Sequence, residues 1–224
     1  MRKFSLKFRQ SVESAHISRW ITNVMSRGVL DLDLDTRTRE ENINLPLEIF
    51  TCKTIVRLKI GSLIEIAKDA SLPALKSLFL HCVWFSGREV ETYISACHVL
   101  EELTILGETN WGSEQCRKVS CPTLERLTLH CKSSQGSKVS RRITFDTPNL
   151  AYLQYRDYVA DEYPIVHFGS FVEAMLTLDS MRSISNPKNL IKGLRNVEIF
   201  QVQDPVRVYS SSILVGPFDH EFVF

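Results

Sequence analysis

The chain has 224 residues, 44% of them hydrophobic, which is enough for one elongated core without a separate second domain. Lys and Arg total 27 against 26 for Asp and Glu, so no global field draws the protein onto nucleic acid or an anionic membrane. The opening Met1-Arg2-Lys3-Phe4-Ser5-Leu6-Lys7-Phe8 is basic but lacks the apolar stretch of a secretory signal, and no run approaches membrane-spanning length. The expectation is an intracellular protein, cytoplasmic or nuclear, with no nucleic acid and no membrane among its partners.

In chain order, Phe4 to Phe8 is strand-like. A helix is predicted from Ser14, with Ile17, Trp20, Ile21, Val24 and Met25 inward and Gly28 where a helix-ending glycine belongs. A strand phrase opens at Val29 and comes back in its clearest form as Leu75-Lys76-Ser77-Leu78-Phe79-Leu80, Leu100-Glu101-Glu102-Leu103-Thr104-Ile105 and Leu124-Glu125-Arg126-Leu127-Thr128-Leu129. With its first apolar residue as position zero, the starts are Val29, Ile55, Leu75, Leu100, Leu124, Leu150, Phe171 and Leu194, in steps of 20 to 26 residues. Between two of them Ser86 caps a second predicted helix carrying Val90, Tyr93, Ile94 and Cys97 on one face. Lys132 to Arg142 has no apolar periodicity and reads as a loop, and Tyr158 to Gly169 reads as irregular, without a helix.

A leucine phrase at this period is the signature of leucine-rich repeats, whose units bury their apolar side only by stacking. Positions +3 and +5 form the expected buried columns: Leu32, Leu58, Leu78, Leu103, Leu127, Leu153, Ala174 and Val197, then Leu34, Ile60, Leu80, Ile105, Leu129, Tyr155, Leu176 and Ile199. Strands joined by returns of this length run parallel. The predicted architecture is therefore an α/β leucine-rich repeat solenoid with parallel strands on the concave face and helical or irregular returns. It occupies residues 1–209 in about eight repeats, followed by a divergent tail at 210–224. The first strand and the tail Phe218 to Phe224 are left to cover the ends of the stack, which predicts reduced solubility or partner dependence.

No constellation of residues points to catalysis or to a cofactor. Cys82 and Cys131 continue the buried parity of the strands, Cys97 lies on a helix face, and Cys52, Cys116 and Cys121 fall in or beside returns without a C-x-x-C pair. His81-Cys82 and His130-Cys131 share a phase, but the repeat beginning at Leu100 separates them, putting their strands about 10 Å apart. That is too far for one zinc ion. Cys97 and His98 are adjacent, and neighbouring side chains on a helix diverge. Asp31, Asp33 and Asp35 alternate on one face, but Asp31 can pair with Arg57, Asp33 with Lys59, and likewise Glu102 with Arg126. The expectation is no enzyme, no metal and no cofactor.

What remains is the open strand face, with Ser77, Phe79, His81, Thr104, Leu106, Thr128, His130, Tyr152, Gln154, Arg156, Met175 and Phe200 outward. Aromatic and arginine side chains carry large contact area with a polar end. Phe79, His81, Thr104, His130, Tyr152 and Arg156 are accordingly the candidate contacts for a target protein on the concave face.

The run Trp20-Ile21, Arg27-Gly28-Val29-Leu30-Asp31-Leu32-Asp33-Leu34 and Leu45-Pro46-Leu47-Glu48-Ile49-Phe50-Thr51-Cys52-Lys53-Thr54-Ile55 resembles plant F-box/LRR proteins of the FBD class. So do Leu72-Pro73-Ala74-Leu75, Cys97-His98-Val99-Leu100 and Ser170-Phe171-Val172-Glu173-Ala174. The resemblance implies substrate reception for an SCF-type E3 ubiquitin ligase, in which an F-box docks on a Skp-type adaptor and the repeats hold the target. No F-box helix set is visible ahead of the repeats, and Ser210 to Phe224 does not resemble the FBD. A Skp-type adaptor and cullin are therefore expected only if an F-box is supplied elsewhere, and adaptor docking is assigned to no residue. The alternative is a stand-alone repeat protein without ligase linkage, either a competitor or a non-functional truncated paralogue.

Overall fold

The computed structural model describes residues 2–8, 12–36, 45–61, 71–81, 89–107, 116–130, 142–169, 172–179, 187–195 and 197–202. Its first half runs β1 (Lys3–Phe8), α1 (Ser14–Ser26), β2 (Asp31–Thr36), a short 3-10 turn at Leu47–Ile49, β3 (Arg57–Gly61), β4 (Ser77–His81), α2 (Glu89–Ala96) and β5 (Glu102–Leu106). Then come β6 (Cys116–Ser120), β7 (Arg126–His130), β8 (Arg142–Thr147), β9 (Tyr152–Tyr158), β10 (Val166–Phe168), β11 (Glu173–Asp179), α3 (Lys188–Gly193) and β12 (Ile199–Val202). Nine strands form one sheet in the order β1-β2-β3-β4-β5-β7-β9-β11-β12, and three of the returns form a second sheet, β10-β8-β6. Each recorded pairing is parallel. No described helix is long and apolar enough to cross a membrane.

The repeat phrase explains the large sheet. Leu32, Leu58, Leu78, Leu103, Leu127, Leu153 and Ala174 stand side by side in register and are buried, as are Leu34, Ile60, Leu80, Ile105, Leu129, Tyr155 and Leu176. Each strand is entered through a tight turn: the amides of Leu75, Leu100, Leu124 and Leu150 donate to the carbonyls of Leu72, Cys97, Cys121 and Thr147. Pro73, Pro122 and Pro148 follow three of those carbonyl residues, where a fixed φ favours the turn. Hydroxyls knit neighbouring repeats: Thr54 Oγ1 donates to the Val29 carbonyl at 3.1 Å and Thr123 Oγ1 to that of Leu100 at 2.8 Å.

The last repeat departs from the predicted register. Leu194 closes α3, its amide donating to the carbonyls of Leu190 and Ile191, and Val197 then makes the entry turn by donating to the Leu194 carbonyl. Position zero is therefore Val197. Ala174 and Leu176 align with Phe200 and Val202 rather than with Val197 and Ile199, so Phe200 belongs to the inward column and Ile199 is 48% exposed. At the other end β1 adds a further strand, aligning Phe4 with Leu32 and Leu6 with Leu34. The predicted start at Phe171 and the tail 210–224 lie outside the described residues, as do Ser86, Cys82 and Cys131.

The helices follow the predicted faces with one exception. In α1, Ile17, Ile21 and Val24 are buried and Met25 half-buried, but Trp20 is 44% exposed and lies beside the His16 ring. The helix packs on the short turn at Leu47–Ile49, and its buried stripe consists of Ile17, Ile21 and Val24, with Trp20 outside it. Gly28, just past the helix, has φ +66°, a conformation that costs other L-residues a Cβ clash. In α2, Val90, Tyr93 and Ile94 are buried, with Cys97 just beyond its end.

The second sheet was not predicted. Arg142, assigned to a loop, begins β8, and β10 lies within the segment read as irregular, which is otherwise free of helix. Phe145 of β8 fills the space between the sheets, meeting the Tyr155 ring edge-on at 5.6 Å and that of Phe168 at 5.7 Å. Asp157, inward at the far end of β9 and 1% exposed, bonds the Arg117 guanidinium of β6 at 2.8 Å. Its other oxygen accepts from the Tyr158 amide at 2.7 Å.

Candidate functional site

Alternation turns every second residue of the large sheet outward, and the pairings align these residues in rows. The first row reads Lys3, Asp31, Arg57, Ser77, Glu102, Arg126, Tyr152, Glu173 and Ile199. The second reads Ser5, Asp33, Lys59, Phe79, Thr104, Thr128, Gln154, Met175 and Gln201. The third reads Lys7, Asp35, Gly61, His81, Leu106, His130, Arg156 and Thr177. All six candidate contacts lie on this face: Phe79 and Thr104 are adjacent in the second row, His130 and Arg156 adjacent in the third with His81 two strands away, and Tyr152 stands in the first. Arg156 is exposed and the other five are half-buried.

The face divides by chemistry. Over β1 to β3 it is a lattice of opposite charges: Asp31 meets Arg57 at 3.2 Å and Lys3 at 3.8 Å, and Asp33 meets Lys7 at 3.1 Å. From β4 onward aromatic, hydroxyl, imidazole and amide groups are interspersed with the charged Glu102, Arg126, Arg156 and Glu173. The expected partnership of Asp31 with Arg57 holds, and Glu102 lies 4.0 Å from Arg126. Lys59 is in register with Asp33, but its amine sits over the Phe79 ring, 4.5 Å from the centroid. Arg126 likewise covers the Tyr152 ring at 4.2 Å. Sequence reasoning had matched both cations to carboxylates and missed the rings. The repeat positions permit these contacts without selecting them over the carboxylates, since Lys59 and Phe79 share one repeat position and Arg126 and Tyr152 another, one strand apart in each case.

Tyr152 Oη of the first row donates to Gln154 Oε1 of the second at 3.4 Å, and along the second row Gln154 Nε2 reaches Met175 Sδ at 3.7 Å. In the third row, partial burial and the neighbouring Arg156 lower the His130 pKa below its ordinary value. Leu106 stands between His81 and His130, so these imidazoles do not adjoin. Among the described residues no group of three His, Cys, Asp or Glu side chains could hold a metal ion.

The remaining sequence candidates are structural in their surroundings. Cys97 is fully buried, and burial pushes its thiol up to about 12, so it is held as the neutral thiol at physiological pH. His98 is exposed on the following turn. Cys52 lies against the Thr54 hydroxyl at 3.3 Å and Cys121 against that of Thr123 at 3.6 Å, where the sulfurs pack the entry turns.

Comparison with known proteins places this architecture. A family model described as FBD-associated F-box protein At5g56370, LRR repeats, matches residues 17–165. The chain is 42% identical to the putative F-box/LRR-repeat protein At3g58920 of Arabidopsis thaliana, over 89% of this chain and 50% of that protein. It is 43% identical to the F-box protein At3g62430 of the same plant, over 90% of this chain and 49% of that one. To the putative F-box/FBD/LRR-repeat protein At3g59240, also of Arabidopsis thaliana, it is 39% identical over 89% of this chain and 42% of the relative. The chain thus spans about half the length of these relatives. No solved structure matches it. The chain belongs to the leucine-rich repeat family of FBD-associated F-box proteins.

Proposed function

We propose that this chain is a protein-interaction module, the substrate-recognition part of an SCF-type E3 ubiquitin ligase receptor, holding its target on the concave strand face. The observation that carries the reading is the continuity of that face: nine strands in register, with uncharged aromatic, hydroxyl and imidazole groups concentrated on β4, β5, β7 and β9. Phe79, His81, Thr104, His130, Tyr152 and Arg156 are the proposed contacts. Phe79 and Tyr152 are each held under a cation from the adjacent strand, which pre-orders the rings for contact. A Skp-type adaptor and cullin join this assembly only through an F-box, which this reading assigns to no residue described here.

The test is co-purification of the tagged chain from plant cells with proteasome activity blocked, beside a variant carrying Phe79→Ala, His130→Ala and Tyr152→Ala. A protein retained by the parent and lost from the folded variant supports recognition on this face, and adaptor or cullin subunits in the same eluate support the ligase link. Identical partners on both chains would refute the face assignment. A lost target with no ligase subunits would favour a stand-alone interaction protein.

A further inference from the structure

The concave face is polarised across its width as well as along its length. From β3 to β11 the second row holds Lys59, Phe79, Thr104, Thr128, Gln154 and Met175, and the third holds Gly61, His81, Leu106, His130, Arg156 and Thr177. Neither stretch contains a carboxylate. Of the acids on this part of the face, Glu102 and Glu173 stand in the first row, Glu102 matched by Arg126, and Asp179 lies beyond the third row at the end of β11. Asp157 is turned inward and held by Arg117. Arg57 is matched by Asp31, whereas among the described residues no carboxylate pairs with Lys59 or Arg156. The two rows therefore present two cations at opposite ends of a neutral strip.

We infer that this strip takes an acidic, extended peptide segment of the target protein, with a carboxylate of the segment opposite Arg156 and apolar side chains over Phe79 and Leu106. The assignment deepens the proposed function and rests on its placement of recognition on this face. Charge complementarity selects the occupant: a basic segment would bring its cations against Lys59 and Arg156, with no acid in the β3 to β11 stretch of either row to receive them, and Asp33, beside Lys59 on β2, is already met by Lys7. Size agrees, because the six strands from β3 to β11 span about 24 Å, the reach of about seven extended residues. His130 adds to the fit, since a carboxylate beside Arg156 relieves the repulsion that this guanidinium exerts on the imidazolium.

The whole chain is tested on an array of random-sequence short peptides, beside folded Arg156→Glu and Phe79→Ala/Tyr152→Ala variants whose melting curves match the parent. The parent should select peptides enriched in Asp and Glu, and Arg156→Glu should weaken these by about tenfold and shift the selection toward Lys and Arg. Selection of neutral or basic peptides, or an acidic preference untouched by Arg156→Glu, overturns the acidic-segment assignment. If such peptides are nonetheless lost with Phe79→Ala/Tyr152→Ala, recognition on this face survives. If they are not, both readings fall. A parent chain that selects no peptide but binds a random RNA oligonucleotide, released by Arg156→Glu, also overturns the assignment, because the strip would then serve phosphates.

Discussion

The concave and convex sheets are built from the same chain under different demands. Every concave strand must present two inward apolar groups at fixed register, so the same phrase is repeated down the sequence and the columns Leu58, Leu78, Leu103, Leu127 and Leu153 align without exception. A return has only to cover that core and arrive at the next entry turn. It does so as a helix in α1, α2 and α3, and as a strand in β6, β8 and β10. The concave side is held by repetition, whereas the junction with the convex sheet is held by single interactions that occur once, above all Arg117 with Asp157. Repeated features tolerate a weak copy, as Ala174 in the leucine column illustrates, while single ones do not.

The sharpest way to break this contrast is at the junction. Arg117→Ala leaves the 1% exposed Asp157 without its guanidinium and should cost about 3–5 kcal/mol in denaturant unfolding. Joint replacement by Arg117→Met and Asp157→Leu should recover much of that loss, because it removes both charges from the interior. A single variant as stable as the parent would mean that the pair does not hold the sheets together. On the concave side, Leu103→Ala should cost about 2–5 kcal/mol through lost burial and a cavity between Leu78 and Leu127. An unchanged melting point would sink the register.

Gly169→Ala probes the close approach where β10 ends. A Cβ there would fall on the Pro148 carbonyl oxygen, a backbone atom with little room to yield, and the expected loss is about 1–3 kcal/mol by thermal melting. Exposed pairs on the concave face should matter far less. Arg126→Ala removes a contact to Glu102 between side chains that are more than half exposed, and should change stability by less than about 1 kcal/mol. A larger loss would show that the cover of Arg126 over Tyr152 is structural rather than a feature of the binding surface.

How far the sequence was legible follows from the same contrast. The large sheet could be read from its leucines because identical inward demands produce identical residues at a fixed period. The last repeat misled because Leu194 satisfies a helix end and an entry turn at once, so its side chain looks like a repeat start while the strand begins at Val197. The second sheet escaped because β6, read alone, is Cys116-Arg117-Lys118-Val119-Ser120, where the buried Val119 is flanked by polar residues and the sequence shows no sustained alternation. Its pairing partner β8 is a full repeat away. The six candidate contacts were legible as outward positions, since parity decides that. Their cation partners were not, because parity and register cannot say whether Lys59 turns back to Asp33 or forward to Phe79.

The smallest predicted effect tests that last distinction at His130. Partial burial, and after it the positive charge of Arg156, hold its imidazole below the ordinary pKa of about 6.5. Because the folded value lies below the unfolded one, the unfolded chain takes up the proton first as pH falls. The contribution of His130 to stability is therefore full above the unfolded pKa, declines as pH drops through it, and levels off below the folded value. Arg156→Gln removes only the second cause, so the resonance of His130 in an NMR titration should move part of the way back and stay below the free value. A complete return would mean that Arg156, rather than burial, dominates, and that the imidazole is more open to solvent than its half-buried place on β7 implies. No movement at all would mean that the guanidinium points away from β7, and the third row could not then present Arg156 and His130 to a ligand as neighbours.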